Sequence, residues 1–164
     1  GTPYQGILFV GLMIDGDNFK VLEFNARFGD PEAQPLLCRM KSDLVPVLQA
    51  CARGELNVSE LEWYERASVC VVLAAGGYPG SYPKGDEIKG IDAANAIDGV
   101  HVFHAGTATQ NGRIVTAGGR VLGVTGWDDT IEAAIEKAYA GAAKINWKGM
   151  QMRRDIGQKA LKRT

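Results

Sequence analysis

The sequence predicts an α/β fold in two parts, and three observations support this prediction. The stretches Gly6–Ile14 and Ala67–Ala75 are apolar at nearly every position, as is typical of strands buried on both faces. Turn signals at 15–18 and 111–112 lie between strand-like runs and predict antiparallel hairpins. Residues 131–142 repeat apolar side chains at helical spacing, which predicts one long helix packed on a sheet.

The composition is typical of a globular protein. Of 164 residues, 46% are hydrophobic and 23% charged, and the net charge of −1 gives no electrostatic reason to expect nucleic acid or an anionic membrane as a partner. We find no signal peptide and no apolar run near the ~20 residues that a membrane helix needs. Cys38, Cys51 and Cys70 are odd in number and lack C-x-x-C spacing, so we interpret them as buried reduced thiols of a cytoplasmic protein.

The first part begins with a predicted hairpin. Gly6–Ile14 is expected as a buried central strand, Asp15-Gly16-Asp17-Asn18 as the turn and Phe19–Asn25 as the returning strand. Because side chains two apart in a strand share a face, Glu23 and Asn25 point the same way, about 7 Å apart at their Cα atoms. The alternate positions are expected in a core, and Gly11 is expected across from this region; the core positions are Leu22, Phe24 and Ala26.

The residues around this strand favour a metal and phosphate site. A carboxylate and an amide oxygen on one face suit Mg²⁺, which keeps several waters and takes further ligands from substrate phosphates. Arg27 follows with a guanidinium shaped for phosphate or carboxylate, and Asp30 and Glu32 add two carboxylates. An ordinary edge strand with exposed polar residues also explains the Glu23-x-Asn25-x-Arg27 pattern taken alone. The density of charge directly after an apolar strand favours the site.

Two helices are expected after this loop. Asp30-Pro31-Glu32 is a good helix start, and we expect at least one of Asp30 and Glu32 to have this structural role. Pro35 limits or distorts the first turns of the helix. Ser42–Asp43 starts a second helix that runs to Arg53 and stops at Gly54. Its core face is expected to consist of Leu44, Val47, Leu48 and Cys51.

We place a domain boundary in the polar segment Glu55–Arg66. Ala67–Ala75 follows as a strand, and Gly76–Gly85 as a long turn region without the lysine ending of a P-loop. His101 and His104 lie three apart in a strand and face opposite sides, so we expect one surface histidine and one structural histidine and no shared metal.

The last third of the chain is predicted to hold strands and the long helix. Gly118-Gly119 precede Arg120 and let the backbone pass close to a ligand or another strand. Asp128 or Asp129 is expected to cap a helix that runs to about Ile145, and the basic tail from Met150 is interpreted as a solvated helix face.

The run Glu23-Phe24-Asn25-Ala26-Arg27-Phe28-Gly29-Asp30-Pro31-Glu32 resembles the signature of the phosphoribosylamine–glycine ligases, also called glycinamide ribonucleotide synthetases. These are ATP-grasp enzymes of de novo purine synthesis. Further blocks resemble the same family in the same order: 37–44, 67–80, 104–107, 118–125 and 154–157. The resemblance covers the whole chain but only the C-terminal part of such an enzyme.

The resemblance implies a fold and a reaction. Residues 1–62 are expected to form the C-terminal part of an ATP-grasp domain, and residues 63–164 a mostly antiparallel β-sheet domain with a packed helix. The implied reaction joins glycine to 5-phosphoribosylamine through an acyl phosphate, giving glycinamide ribonucleotide, ADP and phosphate.

The resemblance also implies roles for single residues. Glu23 and Asn25 hold Mg²⁺ or Mn²⁺ against ATP, and Arg27 stabilises charge on the transferred group. Asp30 or Glu32 binds an amine, with the choice open. Arg120 holds a ribose phosphate, and a Gly-Gly bulge beside a surface arginine is an equal alternative.

Three further expectations remain. Related ATP-grasp enzymes carry an acidic metal ligand near the position of Gly11, so this site has one carboxylate fewer or another acid supplies it. The chain lacks a recognisable ATP lid, so we expect it to need a missing N-terminal region of its own polypeptide and to be inactive alone. The alternatives are another ATP-grasp carboxylate–amine ligase or carboxylase, and a non-catalytic docking domain.

Overall fold

The computed structural model describes residues 1–57 and 60–161, which form two compact units. The first unit contains Gly1–Ala33 and Met40–Tyr64. The second contains Gln34–Arg39 and the chain from Glu65 onward. The mixture of antiparallel sheets and helices confirms the predicted fold class.

The first unit is built on the predicted hairpin. Strand β1 (Phe9–Asp15) pairs antiparallel with β2 (Asn18–Asn25), and Asp15 lies opposite Asn18 across a turn in which Gly16 has a φ of 57°. Such left-handed backbone is open to glycine at little cost, which explains the turn sequence. The prediction of a hairpin here is confirmed.

A β-bulge interrupts this hairpin. Gly11 lies opposite Glu23 but the next residue, Leu12, lies opposite Val21, so Leu22 is an extra residue of β2. Directly opposed side chains share a face, and the bulge therefore assigns three pairs to one face. These pairs are Val10 with Phe24, Leu12 with Val21, and Ile14 with Phe19. We call them the apolar face of the hairpin.

The prediction that these strands enter a core is wrong within the described residues. The side chains of the apolar face are between 38% and 69% exposed, Leu22 is 62% exposed, and Ala26 is exposed as well. The strand expected to be buried and central is one of two strands in a two-stranded sheet. The apolar sequence of the two strands predicted that other residues pack on them, and the described residues leave these side chains exposed.

The helix after the loop begins later than predicted. Residues 30–32 form a turn with a cis Asp30–Pro31 peptide, and helix α1 (Ala33–Arg39) follows. Ala33 donates its backbone N–H to the carbonyl of Gly29 at 3.0 Å. Pro35 lies in the first turn of α1, where a missing N–H leaves no intrahelical bond unmade.

Helix α2 (Leu44–Arg53) has the predicted ends. The Asp43 side chain accepts a hydrogen bond from the N–H of Val45 at 2.9 Å, and Gly54 ends the helix with a φ of 71°. Its predicted core face is only half-buried at three of four positions, and Leu48 is 39% exposed. The helical spacing was therefore right and the predicted depth of burial was wrong.

The second unit contains the core of the chain. Its elements are β3 (Ala67–Ala74), α3 (Ile91–Asn95), β4 (Val100–His104), β5 (Thr107–Gln110), β6 (Arg113–Thr116), β7 (Arg120–Asp128), α4 (Ile131–Ala142) and α5 (Gln158–Leu161). An antiparallel sheet has the strand order β3-β7-β4, and β5 and β6 form a separate hairpin. Asn111 and Gly112 make its turn with φ of 49° and 74°, which confirms the predicted Asn-Gly turn.

Helix α4 covers the sheet. Gly126 of β7 allows a close approach, because a Cβ there would lie 2.6 Å from the carbonyl oxygen of Ala134. Thr130 caps the helix by accepting from Ala133 N–H at 3.2 Å, and the helix ends at Ala142, so the predicted Asp128 or Asp129 cap and the end near Ile145 are both wrong. The predicted apolar stripe is confirmed, with Ala134, Ile135, Ala138 and Ala142 buried.

Contacts of Arg66 explain why Gln34–Arg39 belongs to the second unit. The Arg66 guanidinium donates to the carbonyl of Cys38 near the end of α1 and lies 5.0 Å from the centroid of the Trp127 ring. A cation at a helix C-terminus is favourable because the last carbonyls lack intrahelical partners. Burial raises the pKa of the Cys38 thiol, and the charge of Arg66 opposes this shift.

The cysteines and the tail complete the description. Cys38, Cys51 and Cys70 are all free thiols, but only Cys70 is fully buried. The tail predicted to be a solvated helix face contains the short helix α5, and four of its apolar side chains pack on the core: Met150, Met152, Ile156 and Leu161. The basic residues 162–163 lie outside the described residues. No helix among the described residues is long and apolar enough to span a membrane.

Candidate active site

Strand β2 carries the two predicted metal ligands. The bulge lies at Leu22, before Glu23, so the alternation from Glu23 to Asn25 is intact and both side chains share a face. Glu23 is exposed and Asn25 is half-buried opposite Phe9. The strand therefore presents a carboxylate and an amide oxygen opposite to the apolar face.

Gly11 lies directly across from Glu23, as predicted. A Cβ at this position would lie 3.1 Å from Cγ of Glu23. The glycine thus leaves room beside the carboxylate, and β1 supplies no second carboxylate opposite it.

A second carboxylate reaches the same place from the loop after β2. A cavity of about 520 Å³ in the first unit is lined by Phe9, Val10, Gly11, Leu12, Leu22, Glu23 and Glu32. Glu32 and the ring of Phe9 both occupy the space beside the buried Gly29, where a Cβ would lie 2.9 Å from Cδ of Glu32 and 2.9 Å from Cε2 of Phe9. Any larger residue at position 29 would displace one of them.

Arg27 and Asp30 belong to the same loop but do not line this cavity. Arg27 is exposed, and its Nη1 donates to the carbonyl of the adjacent Phe28 at 2.7 Å. Asp30 is exposed in the turn before α1. The Arg27 guanidinium is therefore held by a hydrogen bond within its own loop.

The donor set fits a hard cation. Within the described ranges 1–57 and 60–161 there is no group of three or more His, Cys, Asp or Glu side chains that could hold a metal by themselves. One carboxylate and one amide oxygen on β2, with Glu32 on the same cavity, are the oxygen donors that Mg²⁺ takes when it keeps waters and substrate phosphates as further ligands.

Arg120 belongs to the second unit, at the start of β7. Its Nε donates to the hydroxyl of Tyr78 at 3.2 Å. The two preceding glycines make close approaches, as predicted: a Cβ on Gly118 would lie 2.9 Å from Cα of Gly106, and one on Gly119 would lie 2.6 Å from Cε2 of Tyr78.

Sequence reasoning missed Tyr78 as a partner of this arginine, and Gln151 as a partner of Tyr78. The side chain of Gln151 donates to the carbonyl of Tyr78 at 2.7 Å. Taken alone, the Gly77-Tyr78-Pro79-Gly80 run predicted a loop, and the family resemblance implied that this block approaches the active site; neither gave Tyr78 a role of its own.

The histidines share no site. Both are exposed, so the prediction of one structural histidine is wrong. The His101 ring lies edge-on to Phe103 with centroids 4.6 Å apart, and Nδ1 of His104 lies 3.0 Å from Oγ1 of Thr107. His104 also lines a second cavity of about 560 Å³ in the second unit, together with Glu87, Asp92 and Arg113.

Comparison with known families decides the relationship. A family model described as "Phosphoribosylglycinamide synthetase, C domain" matches residues 68–159, more than half of the chain. The chain belongs to this family. The model of the ATP-grasp (A) domain of the same synthetase matches residues 1–33, which include β1, β2 and the charged loop.

Individual synthetases agree with the family match. The chain is 51% identical to the phosphoribosylamine–glycine ligase of Rhodopirellula baltica over 97% of its length, which is 37% of that protein. It is also 51% identical to the trifunctional purine biosynthetic protein adenosine-3 of Gallus gallus over 98% of the chain and 16% of that protein. The crystal structure of phosphoribosylamine–glycine ligase from Thermotoga maritima has a TM-score of 0.76 and 36% identity, covering 90% of this chain and 36% of that one.

The chain thus spans little more than a third of the curated ligases that it matches.

Proposed function

We propose that this chain is the C-terminal part of an ATP-dependent ligase that joins glycine to 5-phosphoribosylamine. The observation that carries the proposal is the placement of Glu23 and Asn25 on one face of β2, with Glu23 and Glu32 lining one cavity, in a chain of this family. In the proposed reaction the glycine carboxylate takes the γ-phosphoryl group of ATP. The amine of 5-phosphoribosylamine then displaces phosphate from the acyl phosphate.

The side chains of β2 and its loop would act by position and charge, because phosphoryl transfer needs alignment and neutralisation more than covalent help. Glu23 and Asn25 would hold Mg²⁺ or Mn²⁺, which supplies positive charge to the ATP phosphates when bound. Arg27 would turn from the Phe28 carbonyl to the transferred phosphoryl group and stabilise its charge. Glu32 or Asp30 would bind the amine, and the shared cavity favours Glu32.

Arg120 would bind the phosphate of 5-phosphoribosylamine. It follows Gly118 and Gly119, which have no side chains, so the backbone before Arg120 lies close to its neighbours. A planar guanidinium matches the oxygens of a phosphate monoester.

The two parts of the chain would have different roles. Residues 1–62 would complete an ATP-grasp domain and residues 63–164 would form the C domain, in agreement with family matches at 1–33 and 68–159. The exposed apolar face of the hairpin would be covered by the upstream region of the same polypeptide, since the matched ligases have more than half of their length outside this chain. The ligase would work in the cytoplasm.

The test is substitution of Glu23 in the full-length protein that contains this chain. Glu23→Gln keeps the size of the side chain but removes its charge, so we expect turnover to fall at least by the roughly 10- to 100-fold that loss of an outer-shell metal partner costs. Steady-state rates with glycine, ATP and 5-phosphoribosylamine at several Mg²⁺ concentrations measure this. Glu55→Gln, also exposed in the first unit, is the matched control and should leave turnover unchanged.

Near-normal turnover of Glu23→Gln at saturating Mg²⁺ would remove Glu23 from the metal site. Bicarbonate or formate replacing glycine as the carboxylate substrate would instead indicate a different ATP-grasp enzyme.

A further inference from the structure

We propose that Tyr78 is the positioning residue for Arg120, and that its hydroxyl holds the guanidinium in the orientation that binds the phosphate of the ribose substrate. This inference rests on the proposed function of Arg120. It adds a residue to which sequence reasoning gave no role.

Tyr78 is fixed from several sides. Its backbone N–H donates to the carbonyl of Ala75 at 3.1 Å, and its own carbonyl accepts from Gln151 at 2.7 Å. Its ring fills the place of a side chain at Gly119 and lies edge-on to Tyr82, with centroids 6.1 Å apart. Hydrogen bonds and ring contacts together leave the phenol little freedom to move.

The fixed phenol in turn restrains Arg120. The bond from Nε to the Tyr78 hydroxyl is 3.2 Å long, and the arginine side chain is exposed. Ordering a long side chain costs rotamer entropy, and a bond to a fixed partner meets part of that cost before a ligand binds. Because the guanidinium is planar, the bond at Nε orients its plane, and a bidentate contact to phosphate depends on that orientation.

A second cation lies in the same segment. Nζ of Lys84 lies 6.0 Å from the centroid of the Tyr82 ring, which itself contacts Tyr78. The ammonium of Lys84 adds positive charge to the loop that contains Tyr78, which favours an anionic ligand over a neutral sugar. Together with the proposed phosphate role of Arg120, this makes a sugar phosphate monoester the proposed class of ligand.

The experiment compares Tyr78→Phe, Arg120→Met and the double variant in the full-length protein. Tyr78→Phe keeps the ring against Gly119 and removes only the hydroxyl. We expect the KM for 5-phosphoribosylamine and the dissociation constant of ribose 5-phosphate to rise about 3- to 10-fold, as expected for loss of one hydrogen bond to a charged group at an exposed site. The kcat and the KM values for ATP and glycine should not change.

The double variant tests whether Tyr78 acts through Arg120. Tyr78→Phe should add nothing to Arg120→Met, because a positioning residue has no effect once its target is gone. Tyr139→Phe is the structural control: its hydroxyl donates to Arg153 and accepts from Ile156 N–H, so its loss should lower the thermal midpoint and leave every KM unchanged.

The outcomes separate the two ideas. If Arg120→Met raises the KM for 5-phosphoribosylamine and Tyr78→Phe does not, the positioning role is overturned and the phosphate role of Arg120 stands. If Arg120→Met changes neither the KM nor the affinity for ribose 5-phosphate, the premise in the proposed function fails. Additive effects in the double variant, or a lower thermal midpoint of Tyr78→Phe with an unchanged KM, also overturn the proposal.

Discussion

Strands β1 and β3 are both apolar along their length, yet their burial is opposite. In β3, Val71 and Leu73 are fully buried, while in β1 Leu12 is 46% and Ile14 is 58% exposed. The difference is in what covers each strand: β3 pairs with β7, and α4 packs on this pair with Ala134, Ile135 and Ala138. An apolar strand sequence therefore predicts that something packs on the strand, but it does not predict which part of a polypeptide does so.

The largest expected effect comes from a matched pair of leucine truncations, one in each strand. Leu73→Ala removes a fully buried side chain of β3 and should lower the free energy of unfolding by about 2–5 kcal/mol. Leu12→Ala in β1, at a side chain already 46% exposed, should cost under about 1 kcal/mol in the same chain. Urea unfolding of the two variants measures the contrast, and equal losses would show that the hairpin is covered.

The next effect concerns the contact between β7 and α4. Gly126→Ala places a methyl group 2.6 Å from the Ala134 carbonyl oxygen, so the helix must shift away from the strand. Overpacking of this kind should cost about 1–3 kcal/mol, visible as a lower thermal midpoint. Gly123→Ala on the same strand is the control, because the nearest atom to its methyl is the Cys70 sulfur at 3.1 Å and no helix backbone is among its nearest contacts. A loss as large as that of Gly126→Ala would contradict the helix contact as the cause.

A smaller difference should appear when Leu12→Ala is measured again in the full-length protein. If the upstream region covers the apolar face, the cost should rise from under about 1 to about 2 kcal/mol or more, since the same methyl groups are then buried. The measurement is the change in unfolding free energy in the two contexts, with Val45→Ala, exposed on α2, as the reference. An unchanged cost for Leu12→Ala would argue against cover by the upstream region.

The smallest effect concerns a half-buried ion pair of the second unit. Nζ of Lys137 lies 2.8 Å from Oδ2 of Asp128. The hydrogen bond from Lys137 holds the pKa of the Asp128 carboxyl below its usual value, and Asp128 in turn raises the pKa of the lysine. The stabilisation should therefore be present from roughly pH 5 to 9. It should be lost in acid as the aspartate protonates, and in strong alkali as the lysine deprotonates.

Asp128→Asn should lower the thermal midpoint slightly within this window and not below it. A difference from the unsubstituted chain that persists at pH 2 would assign the effect to the hydrogen bond from Asp129 N–H, which also reaches Asp128.

Local rules in the sequence predicted local structure well. The turns at Gly16 and at Asn111-Gly112, the Asp43 cap, the Gly54 stop and the helical spacing of α4 follow from backbone preferences of single residues. Gly11 also lies opposite this region as predicted, but the register set by the turn would pair it with Leu22, and the bulge is what brings it opposite Glu23.

The errors arose where distant contacts decide. The bulge at Leu22 and the exposure of Phe19, Val21 and Phe24 depend on what packs against the hairpin, which periodicity cannot express. The start of α1 at Ala33 and the cap at Thr130 were each displaced by one to three positions, because several neighbouring residues were chemically suitable. The hydrogen bond from Arg120 to Tyr78 joins residues 42 apart, and no spacing rule predicts it.

The extra residue at position 22 determines which side chains accompany the proposed ligands. In an uninterrupted strand, Phe19 and Val21 would lie on the same side as Glu23, because side chains two apart point the same way. The bulge instead places them with Phe24, on the side away from the carboxylate. Deletion of Leu22 would keep every pair of the hairpin and leave a regular strand, so Glu23 and Asn25 should still face one way in the shortened protein.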